Sequence, residues 1–261
     1  MIKKINLSNR QSTILKHLKD HGRVFVEELA ILLKTSPQTI RKDLQILENC
    51  QQALRFHGGA SLLAGTYYTD FETRSKISAI QKILIGDTVA KLIPNNSVLF
   101  INVGTTTAAV SRSLNQHIGL RIITDNVSIA NELRTYSGVE VIVPGGNVRR
   151  SDGAILGEAT VDFISQFRVD IAVIGAAAIS NDGTLLDYDL REAHLARAII
   201  QNARHIILAA DSSKFDKSAP VKIGHLSNVH VFVTDDSKNV PIEKLEHLCI
   251  KFDVNLIKAK P

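Results

Sequence analysis

Cysteine is close to absent: Cys50 and Cys249 are the only two in 261 residues. They form no CxxC motif and no disulfide framework. A reduced, cytoplasmic compartment is expected. No apolar run approaches the length needed to span a bilayer. The stretch Met1 to Ser8 carries Lys3 and Lys4 but lacks the apolar core of a signal peptide. There is no internal repeat and no low-complexity tract. No G-x-G-x-x-G occurs, which argues against a dinucleotide site. The nine histidines fall in no ligand-spaced pair on one face, and His194 reads as a surface or packing residue, so no metal site and no cofactor is expected.

Acidic residues are scarce in only one region. Residues 1–60 hold ten Lys/Arg against five Asp/Glu, while residues 61–261 hold 21 of each. All of the net charge of +5 therefore sits in the first quarter of the chain. That asymmetry predicts an anionic partner for this part. An acidic membrane surface is the competing reading. The cations, however, are interleaved with a compact helical pattern and not strung along one amphipathic helix, so no membrane partner is expected.

The pattern predicts a small helical module over residues 1–60. Ser8 caps a first helix with Ile14, Leu15 and Leu18 inward, ended by His21-Gly22. Val24-Phe25-Val26 is a β-prone run. Glu27 to Leu33 is a second helix, and Lys34-Thr35 is a tight turn. Ser36 then reads as an N-cap with Pro37 at the first helical position, where its missing N–H costs nothing. Ile40, Leu44 and Leu47 face a core at helical spacing. Gln38, Arg41, Lys42 and Gln45 share the opposite face, two cations and two amides suited to phosphates and base edges. The two helices form a helix-turn-helix over about 23–48. A strand over Ala53 to Phe56, ending at His57-Gly58-Gly59, suits a wing, with Arg55 and His57 placed to meet a duplex backbone. The DNA-binding candidates are thus Ser36, Gln38, Thr39, Arg41, Lys42, Gln45, Arg55 and His57, Thr39 serving a backbone or thymine-methyl contact.

Residues 61–79 read as a linker that runs into a single helix from Phe71 to Ile93. That helix has Ile77, Ile80 and Leu84 on one face and Arg74, Lys76 and Lys82 on others. Residues 80–261 form a second domain of α/β type. Apolar strands over 98–103, 120–124, 139–143, 170–174, 205–210 and 229–234 alternate with helices, which predicts a mostly parallel sheet covered on both sides. Such sheets bind ligands beyond the carboxyl ends of their strands. There lie Gly104-Thr105-Thr106-Thr107, Asn126, Gly145-Gly146 and Ser213-Lys214. A glycine and three threonines opening a helix offer amides, hydroxyls and a positive dipole end, a seat for phosphate, with Lys214 and Arg149-Arg150 as counter-charges. Plain helix capping is the other reading of the threonines.

The first module resembles the N-terminal domain of the DeoR family of bacterial regulators of sugar and polyol catabolism. The resemblance rests on Asn9-Arg10-Gln11, Val26-Glu27-Glu28-Leu29-Ala30, Ser36 to Leu44, and Arg55-Phe56-His57-Gly58-Gly59-Ala60. It continues through Gly157 to Arg168 and Asp211-Ser212-Ser213-Lys214-Phe215, covering nearly the whole chain. It implies a winged helix-turn-helix followed by a sheet domain resembling ribose-5-phosphate isomerase and CoA-transferase-like folds. It also implies a phosphorylated sugar or polyol effector, glycerol 3-phosphate foremost, and adds Glu192 to the effector set. Five positions depart from the family pattern: Lys42 for arginine, Gln52 or Ala53 for a turn glycine, Ala178 for glycine, Ala196 for lysine and Asn102 for aspartate. The function implied is a repressor of a catabolic operon, acting as a homodimer or homotetramer on double-stranded operator DNA and released by its effector. Two alternatives stand beside it. One is a sugar-phosphate isomerase with Glu192 as base and Lys214 polarising the substrate, which lacks a second group where Ala196 stands. The other is an effector-independent nucleoid binder. No catalytic residue is expected.

Overall fold

The computed structural model describes residues 7–21, 23–50, 52–56, 58–61, 71–236 and 242–260. The chain divides into two compact units, Met1–Thr69 and Asp70–Pro261.

The first unit runs α1 (Asn9–His21), β1 (Arg23–Phe25), α2 (Val26–Leu32), α3 (Pro37–Asn49), β2 (Leu54–Phe56) and β3 (Gly59–Ser61). Ile14, Leu18, Leu29, Ile40, Leu44 and Leu47 meet in one core, as their helical spacing predicts. Leu33, at the end of the expected second helix, is only partly buried at the core's edge. Lys34 adopts a left-handed conformation (φ 48°), which lets α2 turn into α3 without a longer loop. The wing holds one strand more than the sequence pattern announces. The three short strands form an antiparallel sheet in the order β1-β3-β2, with Val24 opposite Ala60 and Arg55 opposite the same alanine.

The second unit opens with α4 (Phe71–Lys76) and α5 (Ala79–Ala90). The single helix expected over Phe71–Ile93 is broken, because Ser78 turns left-handed (φ 53°). The freed carbonyls of Arg74 and Ile77 accept hydrogen bonds from Lys82 Nζ at 2.5 and 2.7 Å. Lys82, expected off the apolar face, is therefore buried beneath the break, and burial pulls its pKa down to about 8.

The unit then alternates: β4 (Val98–Ile101), α6 (Thr105–Arg112), β5 (Leu120–Thr124), α7 (Val127–Leu133), β6 (Val139–Ile142), β7 (Asn147–Val148), β8 (Ile155–Leu156), α8 (Glu158–Ser165) and β9 (Val169–Ile174). It continues through β10 (Ala178–Ile179), β11 (Thr184–Asp187), α9 (Leu190–Gln201), β12 (Ala203–Ala209), β13 (Val221–His225), β14 (Val231–Asp235), α10 (Ile242–Lys251) and β15 (Asn255–Ala259). Seven strands form one parallel sheet in the order β15-β14-β12-β9-β4-β5-β6. One face packs on α5, α6 and α7 through Ile85, Val89, Val110 and Leu133. The other packs on α8, α9 and α10 through Ile164, Leu195, Ile199 and Leu245. A sheet buried on both faces explains the apolar runs Val98–Ile101 in β4 and Ile171–Ile174 in β9. β10, β11 and β13 form a separate antiparallel sheet against α9, and β7 pairs with β8. From β4 the chain builds outward to β5 and β6, then returns to β9 on the other side of β4 and builds away. The order of strands reverses between β4 and β9. Their carboxyl ends form the crevice where an open sheet of this kind accepts ligands.

Candidate DNA interface and ligand site

On α3 the cap forms as its sequence dictates. Ser36 Oγ accepts the Thr39 amide at 3.2 Å and meets the Thr39 hydroxyl at 2.8 Å. Gln38, Arg41, Lys42 and Gln45 are exposed together, while Ile40, Leu44 and Leu47 on the far side are fully buried. Thr39 is half-buried. The Arg41 guanidinium donates weakly to Gln38 Oε1 and Glu27 Oε1, both at 3.4 Å. Such exposed pairs contribute about 0–1 kcal/mol, so a phosphate or a base edge displaces them at little cost. The structure brings Arg55 to the same face from β2. Its guanidinium donates to Gln45 Oε1, and its amide donates to Glu48 Oε1 at 3.1 Å. His57 lies outside the described residues.

Sequence reasoning missed what fixes this helix in place. Asp43, buried in α3 beside the exposed Arg41 and Lys42, accepts from Arg10 Nε at 2.5 Å and from Gln11 Nε2 at 3.0 Å. These bonds tie α1 to α3 from partners 32 and 33 residues away. Arg10, Gln11 and Asp43 all stand in the quoted motifs, but spacing alone gives no sign that they meet.

In the second unit the crevice opens at the end of β4. Gly104 precedes α6, where an added Cβ would stand 2.8 Å from Thr107 Oγ1. Thr107 is fully buried and donates to the carbonyls of Asn102 and Gly104, at 2.7 and 3.1 Å. It therefore shapes the turn. Thr105 is half-buried and Thr106 nearly closed off, at the helix start where first-turn amides have no intrahelical acceptor. Asn102 Oδ1 receives the Gly175 amide at 3.2 Å, bridging the ends of β4 and β9. Asp125 Oδ1 receives the Val103 amide at 2.6 Å, and burial pushes its carboxyl up to about 7. Asn126 commits both ends of its amide to architecture. Its oxygen accepts from Ser128 and Ile129, and its nitrogen donates to the Asp152 carbonyl at 2.8 Å. Gly145 and Gly146 are exposed after β6. Gly146 sits at φ 154°, with Ile155 and Thr160 close beneath.

The turn after β12 is held by its own acids. Asp211 caps it through the Ser213 amide and hydroxyl, and Asp235 accepts from the Ser212 amide and hydroxyl at 2.6 and 2.9 Å. Lys214 follows, with its pKa lowered by burial against the opposing pull of Asp211. Its backbone amide donates to the Asp211 carbonyl at 3.0 Å, and among the described residues its ammonium makes no hydrogen bond and no ion pair.

The strongest electrostatic feature is Arg149. It pairs with Asp152 (2.5 Å), Glu192 (2.6 Å) and Asp189 (3.1 Å), joining the loop between β7 and β8 to the start of α9. Burial pushes the Glu192 carboxyl up to about 7. Arg150 is exposed. Arg74, read from sequence as one cation on a bridging helix, instead reaches Asp152 at 4.0 Å. Ala178 and Ala196 are buried in the core, so the position of the absent lysine faces packing and not this crevice. Two open depressions lie elsewhere, one lined by Asp87, Lys91, Asn95 and His117 and one by Phe215, His247 and Leu248. Neither contains any of the strand-end residues named above.

Residues 10–66 match the family described as a DeoR-like helix-turn-helix domain, and residues 78–236 match the DeoR C terminal sensor domain. The chain is 44% identical over 229 residues to a glycerol-3-phosphate regulon repressor of Haemophilus influenzae, covering 88% of this chain and 89% of that one. It is 43% identical over 228 residues to the protein of the same name from Escherichia coli K12, covering 87% and 90%. Among solved structures, ribose 5-phosphate isomerase A of Methanocaldococcus jannaschii covers 53% of this chain and 55% of its own, at 16% identity and a TM-score of 0.40. The relatives are named repressors and not enzymes, which sets the isomerase alternative aside. Among the described residues no helix is long and apolar enough to cross a membrane, and no group of His, Cys, Asp and Glu is arranged to hold a metal ion.

Proposed function

The chain is a DNA-binding transcriptional repressor of the DeoR family, and from that premise we propose that glycerol 3-phosphate is the signal that releases it from its operator. The observation that carries this reading is the strand-order reversal between β4 and β9. There Gly104, Thr105 and Thr106 open a helix, and Lys214 stands half-buried on the turn after β12. A phosphoryl group fits those chemistries together: first-turn amides and a helix dipole on one side, a desolvated ammonium on the other. Gly145 and Gly146 supply backbone close to the same edge, with Ser213 beside Lys214. Glu192 is the group for a polyol hydroxyl, reached only when its bond to Arg149 loosens.

On the DNA side, Arg41 reads a base edge with Gln38 and Gln45 as amide partners. Lys42, Arg55, His57 and the hydroxyls of Ser36 and Thr39 serve the phosphates and the fit against the groove. The repressor acts in the cytoplasm as a symmetric dimer, or as a tetramer built from dimers, because one α3 per half-site needs two copies for a palindromic operator. The ligand releases DNA by binding the free form more tightly than the operator-bound form.

A thermal-shift series on the full chain tests the ligand directly. Glycerol 3-phosphate is expected to raise the melting temperature in proportion to the logarithm of its concentration, whereas glycerol is not. Equal shifts from both compounds, or none from either, contradict the reading.

A further inference from the structure

Asn102 is the first residue beyond β4, where the crevice opens. Its main chain is fixed on both sides. The amide donates to the Val173 carbonyl at 3.4 Å, and the carbonyl accepts from the Thr107 hydroxyl at 2.7 Å. Its side chain is held by one bond, from the Gly175 amide to Oδ1 at 3.2 Å. A backbone N–H can only donate, so this bond decides which end of the carboxamide faces β9: the oxygen does, and Nδ2 points elsewhere. Among the described residues nothing accepts from Nδ2. Asn102 is only 9% exposed, yet Nδ2 is not one of the unpaired polar atoms sealed from solvent, so the remaining opening lies at this nitrogen. A donor so enclosed is costly to leave without an acceptor. Its place is between the two proposed phosphoryl holders. Thr107, which rests on the Asn102 carbonyl, belongs to the first turn of α6. A Cβ on Gly175 would stand 3.8 Å from the Thr107 methyl and 3.9 Å from the carbonyl of Ala209, the end of β12 that leads to Lys214.

We infer that Asn102 is a ligand-contacting residue whose Nδ2 donates to a phosphoryl oxygen, between the amides that open α6 and the Lys214 ammonium. The contact breaks no internal bond. Oδ1 stays on the Gly175 amide, which holds the carboxamide in the orientation that offers Nδ2. A hydrogen bond to a charged acceptor is stronger than one between neutral groups, so the donor gains most from a phosphoryl oxygen. A carboxylate in the same place would keep the Gly175 bond with one oxygen and set the other, negative and without a proton, against the phosphoryl group. The residue therefore helps decide that an anion is accepted at the floor of the crevice. The inference rests on the ligand reading above and adds one residue to that site.

The test is a calorimetric titration of the full-length chain with glycerol 3-phosphate at about pH 8.5, where an introduced carboxyl is ionised even if burial raises it. Asn102→Asp keeps an acceptor for the Gly175 amide, and Asn102→Ala does not. A purely structural role therefore makes Asn102→Ala the more damaging change. Contact with the ligand reverses that order. The dissociation constant is expected to rise about tenfold for Asn102→Ala, which loses a donor, and about a hundredfold for Asn102→Asp, which also gains a repelling charge. Ligand-free melting temperatures are expected to fall more for Asn102→Ala, so the variant with the better-kept fold is the one that binds worse. Asn102→Asp binding at wild-type strength, or no more weakly than Asn102→Ala, overturns the inference and leaves the ligand reading intact. A wild-type chain that does not bind glycerol 3-phosphate removes the ligand reading, and this inference with it.

Discussion

The two units use the same kinds of charged residue in opposite ways. In the first, Arg41, Lys42 and Arg55 stand in solvent, and the contacts of Arg41 at 3.4 Å are long and exposed. In the second, Arg149 is four-fifths buried and held by three carboxylates at 2.5 to 3.1 Å. An exposed cation is ready for any polyanion and registers as net charge. A buried one such as Arg149 is counted together with the acids that hold it. The +5 of the first 60 residues and the balanced 21 against 21 of the rest are that contrast seen from composition. One surface stands ready for a polyanion, whereas in the other the cation is already engaged by carboxylates of its own unit.

The sharpest way to separate the units is a change confined to the second. Gly104→Val places a branched side chain where even a Cβ meets Thr107 Oγ1 at 2.8 Å. Half-release by glycerol 3-phosphate is expected to require about a hundredfold more ligand or more. Anisotropy titrations of the operator complex check it, and a response at wild-type concentrations would remove the helix start from the site.

A change confined to the first unit should be felt as stability. Asp43→Ala leaves the Gln11 amide without its buried acceptor and releases Arg10. The expected cost is about 1–3 kcal/mol, read as a lower melting temperature of this unit in calorimetry. Within the same helix, Arg41→Ala should lose about 1–3 kcal/mol at one base pair and become indifferent to its identity. Lys42→Ala should weaken all sequences alike and reduce the salt slope by about one. Gel shifts on matched and mutated sites at two salt concentrations distinguish them. A uniform loss for Arg41→Ala would remove it from base reading.

The smallest expected effect is in pH. Asp125 and Glu192 are both raised by burial to about 7, from 3.8 and 4.5. A carboxyl whose folded pKa lies above its unfolded one keeps its proton in the fold. Its contribution is fully present below the unfolded pKa and is lost as pH rises through 7. Stability of the second unit should therefore decline between about pH 4 and pH 7, and Glu192→Gln should flatten part of that decline in a melting series. An unchanged slope would mean that Glu192 is ionised in the fold at every pH of the series.

How much the sequence disclosed follows the same contrast. The helix-turn-helix was legible because its signals are local: a cap at Ser36, a proline after it, and Ile40, Leu44 and Leu47 at helical spacing. The parallel strands were legible because burial on both faces leaves apolar runs. β10, β11 and β13 were not, being short, antiparallel and attached to no such run. Neither α10 nor β15 was anticipated. The break at Ser78 was hidden because Lys82, which stabilises it, reads as a surface lysine until its amine is seen against two carbonyls. Of the strand-end site, the loops could be located but not their bonds. Arg149 meets partners 40 and 43 residues away, and no spacing rule announces such a meeting.

The most direct measurement is the dissociation constant of the full-length chain for its operator, taken with glycerol 3-phosphate, with glycerol and with neither. A rise of about tenfold or more with the phosphorylated compound alone is the result predicted, a coupling of about 1.4 kcal/mol or greater. A constant that is the same in all three, or that rises equally with glycerol, would contradict control of the DNA-binding unit by a phosphoryl group at the sheet's edge.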